Sequence, residues 1–133
     1  MSTLKRGPDG NNIKPINIKY NVKKKRYYVD ESGQVYWKDI KGNYRKMKPF
    51  TTRDGYIEYV LTRTNGTKQH IQAQIIVLAT FKGYSTNKEK IQVNHKDGDR
   101  KHNVLTNLEW VTPSENIKHS FSKLGKKVWN STK

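Results

Sequence analysis

At 133 residues with no cysteine, 32% apolar residues and a mean hydropathy of −1.01, the chain forms one domain around a small core. Disulfides, thiolate metal sites and cysteine nucleophiles are excluded together. Its 27 Lys+Arg against 11 Asp+Glu leave a formal charge of +16, the footprint of a polyanion-binding protein with DNA or RNA as default partner. No apolar leader stretch or long hydrophobic span stands in the sequence, and the basic residues do not line one side of an apolar helix. The expectation is a cytoplasmic protein without membrane association.

In chain order, residues 1–26 read as a flexible basic arm: Gly7-Pro8-Asp9-Gly10 and Pro15 show no clear period, and Lys23-Lys24-Lys25-Arg26 is the densest positive run. The region 27–84 turns β-rich. Tyr27-Tyr28-Val29, a turn at Glu31-Ser32-Gly33 and Gln34-Val35-Tyr36-Trp37 predict a hairpin. Gly42-Asn43 marks the next turn. Tyr56 to Leu61 is the best strand, and Asn65-Gly66 predicts its antiparallel return from Thr67 to Ile71. Ile71, Ile75, Leu78 and Ala79 then share a helical face, with Gly83 placed to stop the helix.

Residues 85–124 hold the chemistry. Ile91-Gln92-Val93 predicts a strand delivering Asn94 and His95, and Asn107 to Val111 its return, with Leu108 and Trp110 toward the core. Asp97-Gly98-Asp99 suits a turn more than a cation site, and His102 and Asn103 are equally open to a loop role or a DNA contact. Thr112, Pro113 and Glu115 form a capping box that starts a helix, which puts Asn116 in the first turn, where side chains lean back toward the hairpin. Asn94, His95 and Asn116 can therefore converge.

The run N-H-K-D-G-D from Asn94, followed by N-L-E-W-V-T-P-S-E-N from Asn107 to Asn116, resembles the HNH, or ββα-metal, endonucleases, especially the small homing enzymes of bacteriophages. The segment Tyr28 to Phe81 also resembles what precedes that motif there. The resemblance implies an α+β fold: an N-terminal antiparallel sheet with one packing helix, then the ββα unit, with 125–133 a basic tail. It further implies that His95 is the general base, that Asn94 and Asn116 hold a divalent metal (Mg²⁺, with Mn²⁺ able to substitute), and that Asn107 braces the hairpin loop and helps hold His95. Two features depart from the usual pattern. Asn94 stands where Asp is frequent, and Gln74-Ile75 replaces a His-Arg pair.

These residue types suit phosphodiester hydrolysis, which needs a base of near-neutral pKa and a hard cation held by oxygen. The expected activity is cleavage or nicking of double-stranded DNA by a monomer, leaving 5′-phosphate and 3′-hydroxyl ends. The alternative is a non-catalytic DNA-binding protein on the same scaffold, favoured by the neutral Asn94. Candidate phosphate contacts are Lys96, Arg100, Lys101 and His119 beside the site and Lys23, Lys24, Lys25 and Arg26 in the arm; Lys118, Lys123, Lys126 and Lys127 could track the backbone further on.

Overall fold

The computed structural model describes residues 5–8, 10–23 and 26–124. Its first sheet is an antiparallel meander in the order β1 (Lys5–Arg6), β2 (Asn12–Pro15), β3 (Tyr27–Asp30), β4 (Val35–Lys38), β5 (Tyr44–Lys46). A second antiparallel sheet follows, β6 (Phe50–Thr51), β7 (Ile57–Thr62) and β8 (Lys68–Gln72), closed by the expected turn at Asn65-Gly66. Helix α1 (Ala73–Lys82) leads to the hairpin β9 (Gln92–His95) and β10 (Leu108–Val111), and α2 (Pro113–Leu124) ends the described chain. The α+β expectation holds in this order of elements.

Two local readings change. The arm expected over residues 1–26 is, from Asn12 to Val22, part of the core: β2 pairs with β3, and Ile13, Ile16, Ile18 and Val22 are all buried. Ile13 packs within β2 against Tyr28 and Tyr36, whereas Ile16, Ile18 and Val22 follow the end of β2 and join the cluster of Leu61, Ile76 and Leu108, so the four share no single strand or helix period. Pro15 sits opposite Tyr28 and past the short β1 pairing, so its missing N–H costs no ladder bond. Lys24 and Lys25 and the tail 125–133 lie outside the described residues.

The predicted helical stripe is also revised. Ile71 belongs to β8, opposite Tyr59, and the helix begins two residues later. Its buried residues are Ala73, Gln74, Ile76, Val77, Leu78, Ala79 and Thr80, so α1 is enclosed on most sides and does not lie on one sheet. It touches β2 and β3 of the first sheet, β7 and β8 of the second, and β10. Burial of that helix ties Val29, Leu61, Ile76, Val77 and Leu108 into one core, and the β9–β10 hairpin is thereby fastened to both sheets. Gly83, with φ of 76°, ends the helix by donating its N–H to Ala79 O, and its own carbonyl accepts from the Trp110 indole at 2.8 Å. No helix among the described residues is long and apolar enough to cross a membrane.

Candidate active site

Register places the polar residues. Asn94 lies opposite Glu109 and Gln92 opposite Val111, while His95 lies opposite Leu108. Alternation sends Gln92 and Asn94 to the side where α2 packs, and His95 with Val93 to the other. The contacts follow. Asn94 Nδ2 donates to Glu109 Oε2 at 2.8 Å, and Asn116 Nδ2 on α2 donates to Gln92 Oε1 at 2.9 Å. The capping box that sets Asn116 there is formed in both directions: Thr112 N–H donates to Glu115 Oε1 at 2.9 Å, and Glu115 N–H to Thr112 Oγ1 at 3.0 Å.

Each asparagine thus turns its Nδ2 toward a partner, and neither Oδ1 accepts a hydrogen bond among the described residues. The two amide oxygens, with the Glu109 carboxylate beside Asn94, are oxygen donors of the kind that suits a hard divalent cation keeping several waters. Among the described residues no group of three His, Asp or Glu gathers to hold a metal, so the amide oxygens carry that fit.

His95 is 6% exposed. Its Nε2 lies 2.8 Å from Asn103 Oδ1, and because that oxygen can only accept, Nε2 carries the hydrogen and Nδ1 the lone pair. Burial is the largest influence on the ring and holds its pKa below the usual 6.5; the Asn103 bond and the carboxylates of Asp97 and Asp99 oppose this in part. Neutral imidazole is therefore the form present at pH 7. The sign for stability follows. The unfolded chain takes up the proton more readily, so stability is lost as pH falls from 6.5 toward the depressed folded value. Histidine NMR titration of the metal-free protein is expected to place His95 below 6.5; a value at or above 6.5 contradicts it.

Asn107 holds the loop between the strands. Its Oδ1 accepts from Asp97 N–H at 3.1 Å, and its Nδ2 donates to Asp97 Oδ1 and to His102 O at 3.0 and 2.9 Å. Asp97 in turn accepts from Asp99 N–H and pairs with His102, and these contacts pull its carboxyl down to about 2. The loop is buttressed from the first sheet. Gly33, with φ of 97°, lies so close that a Cβ there would meet Asn103 Cβ at 2.9 Å and Asn103 O at 3.0 Å. Leu105 N–H also donates to Glu31 O at 2.8 Å. The turn Glu31-Ser32-Gly33 therefore supports the residue that orients His95.

The candidate phosphate contacts divide. Lys96 and Lys101 are exposed beside the hairpin loop. Arg100 lies 4.9 Å from the centre of the Tyr56 ring and donates to Asp54 O at 2.6 Å, which joins the loop to the second sheet. The His119 ring bonds Lys96 O through Nε2 at 2.9 Å, tying α2 to the hairpin. Arg26 lies over Trp37 at 5.2 Å, and Lys23 is exposed. Gln74-Ile75, in the first turn of α1, border a groove of about 290 Å³ that also meets Tyr56, Gln92 and Asn116. Sequence reasoning missed Glu109, Gln92 and Tyr56 and left Asn103 open. Alternation beside Asn94 could have raised Glu109 had the register been known, whereas nothing local marks Tyr56.

Comparison with known proteins agrees with this arrangement. A match to the HNH endonuclease family covers residues 72–118. DNA endonuclease I-HmuI of Bacillus phage SP01 is 31% identical over 97 residues, which is 73% of this chain and 52% of that protein. The SPbeta prophage-derived HNH homing endonuclease YosQ of Bacillus subtilis, a putative one by name, is 31% identical over 77% of this chain and 57% of its own length. A solved structure of I-HmuI, described as binding and cleaving DNA, superimposes with a TM-score of 0.66 at 30% identity, over 83% of this chain and 61% of that one. The chain spans about half the length of these two phage-type relatives. With the hairpin, the start of the following helix and Asn94, His95 and Asn116 all in the matched segment, residues 72–118 form an HNH endonuclease motif, and the chain around it is similar to phage-type HNH endonucleases.

Proposed function

We propose that the chain is a metal-dependent HNH endonuclease of the phage homing type that hydrolyses double-stranded DNA. It would act as a monomer in the host cytoplasm, nicking one strand per encounter and leaving 5′-phosphate and 3′-hydroxyl ends. The observation that carries this reading is the buried His95, held at Nε2 by Asn103 with Nδ1 left as a base, immediately after an asparagine whose Oδ1 is free.

In this mechanism Asn94 and Asn116 hold a divalent ion through their amide oxygens. When bound, Mg²⁺ or Mn²⁺ offsets charge on the reacting phosphate and on the departing 3′-oxygen. His95 Nδ1 takes the proton of the attacking water, and the imidazolium so formed lies near the carboxylates of Asp97 and Asp99. Asn103 keeps the ring in that tautomer, and Asn107 keeps the loop in register. Asn94 and His95 leave the strand end on opposite sides, so the base stands apart from the amide oxygens that would hold the ion. Lys96 and Lys101, with the basic residues near Lys23 to Arg26, would contact the DNA backbone.

A supercoiled plasmid incubated with protein and Mg²⁺ tests the reading. Conversion to open circles that stops in EDTA is expected. Equal cutting in EDTA defeats the metal mechanism, and DNA binding without cleavage under any divalent ion favours the non-catalytic binder that the neutral Asn94 would suit.

A further inference from the structure

We infer that Glu109 is the anionic member of the metal site, supplying across the hairpin the charge that Asn94 does not carry. The inference rests on the metal role proposed above for Asn94 and Asn116. The two residues are register partners, their side chains leave the hairpin on the same side, and Asn94 Nδ2 donates to Glu109 Oε2 at 2.8 Å. That bond acts on both partners. It turns the Nδ2 of Asn94 toward the carboxylate and leaves Oδ1 without a donor among the described residues, and it holds the carboxylate against an amide that is 5% exposed.

The surroundings of Glu109 support the assignment. In a protein with 27 Lys+Arg, a surface carboxylate would ordinarily pair with one of them, yet Glu109 forms no ion pair among the described residues. Its second oxygen, Oε1, accepts no hydrogen bond there and is left for a metal or for one of its waters. Two neutral amide oxygens hold Mg²⁺ or Mn²⁺ weakly, whereas one adjacent carboxylate raises the attraction without crowding the waters these ions retain. On this account the usual aspartate charge has moved one strand across while the amide has stayed behind.

The test is a charge swap read by Mn²⁺ binding, followed by electron paramagnetic resonance on the full chain without DNA and repeated with a short duplex. E109Q keeps an oxygen that can accept from Asn94, so it removes charge with little change in shape. Its Mn²⁺ affinity is expected to fall about 10- to 100-fold. The double variant N94D/E109Q reverses the hydrogen bond and returns the charge, so its affinity should come back to within a few-fold of wild type. E109Q binding like wild type would reduce Glu109 to a positioning residue and overturn the inference. So would a double variant that binds no more tightly than E109Q. If E109Q melts early, the swap alone decides, since it preserves both bond and charge: an affinity more than 10-fold below wild type counts against the inference. Wild-type protein that binds no Mn²⁺ in either condition removes the metal role of Asn94 and Asn116 as well, an outcome distinct from failure of Glu109 alone.

Discussion

His95→Ala is expected to lower the nicking rate roughly 100- to 10,000-fold, the range that one positioned general base supplies. DNA affinity in EDTA should stay within about twofold, because the imidazole is buried and bonded to Asn103, and the proposed phosphate contacts are exposed cations elsewhere. Single-turnover cleavage alongside a binding titration separates the two effects. Full-rate cutting by the variant would mean that another group activates the water. Asn103→Ala should cost less, since water can replace the amide at Nε2; its effect is to loosen the ring, leaving the base in place.

The second large effect concerns stability and lies far from His95 in sequence. Asp30 is 2% exposed and accepts from Ser32 N–H and Oγ, Gln34 N–H, the Tyr36 hydroxyl and Asn11 Nδ2. Asp30→Ala would leave several of these donors without partners, each costing about 1–3 kcal/mol where water cannot reach. A net loss of about 3 kcal/mol, or a melting temperature lower by about 10 °C, is expected by thermal unfolding. A drop of only a degree or two would show that water takes the place of the carboxylate. Asp30 also shapes the turn whose Gly33 backs Asn103 and whose Glu31 carbonyl receives Leu105 N–H. The same variant should therefore lose activity below its melting temperature, which measurement well under the transition would register.

How much of this was legible beforehand depends on how local the signal is. The hairpin turn at Asn65-Gly66, the alternation of Leu108 and Trp110, and the Thr112–Glu115 capping box each operate over a few residues, and each appears where the residue types place it. Local spacing placed Asn94 and His95 at a strand end and Asn116 in a first helical turn, while their expected roles, and that of Asn107, came from the resemblance to the HNH enzymes. The core of the N-terminal segment could not be read locally. Ile16, Ile18 and Val22 are buried in a cluster with residues of β7, β8, α1 and β10 that come much later in the chain, so no short-range period announces them; Ile13 is buried apart from them with Tyr28 and Tyr36. Ile71 went to the strand because its pairing with Tyr59 outweighed its fit to the helical stripe.

The linear chain by itself carried the expectation of the chemistry: a surplus of positive charge for a polyanion and, by its resemblance to the HNH enzymes, an imidazole as base and amide oxygens for a hard cation, with a capped helix that sets the second amide in its first turn. Tertiary structure decided how those groups are held. It chose Asn103 as the residue that sets the His95 tautomer and set Gly33 and Glu31 behind that loop. It also brought Glu109 against Asn94, turning two neutral asparagines into a site with a charge at hand. The reason is geometric. Residue type and short spacing are written along the chain, whereas register across a hairpin and contact between sheets exist only once a buried helix such as α1 has drawn the strands together.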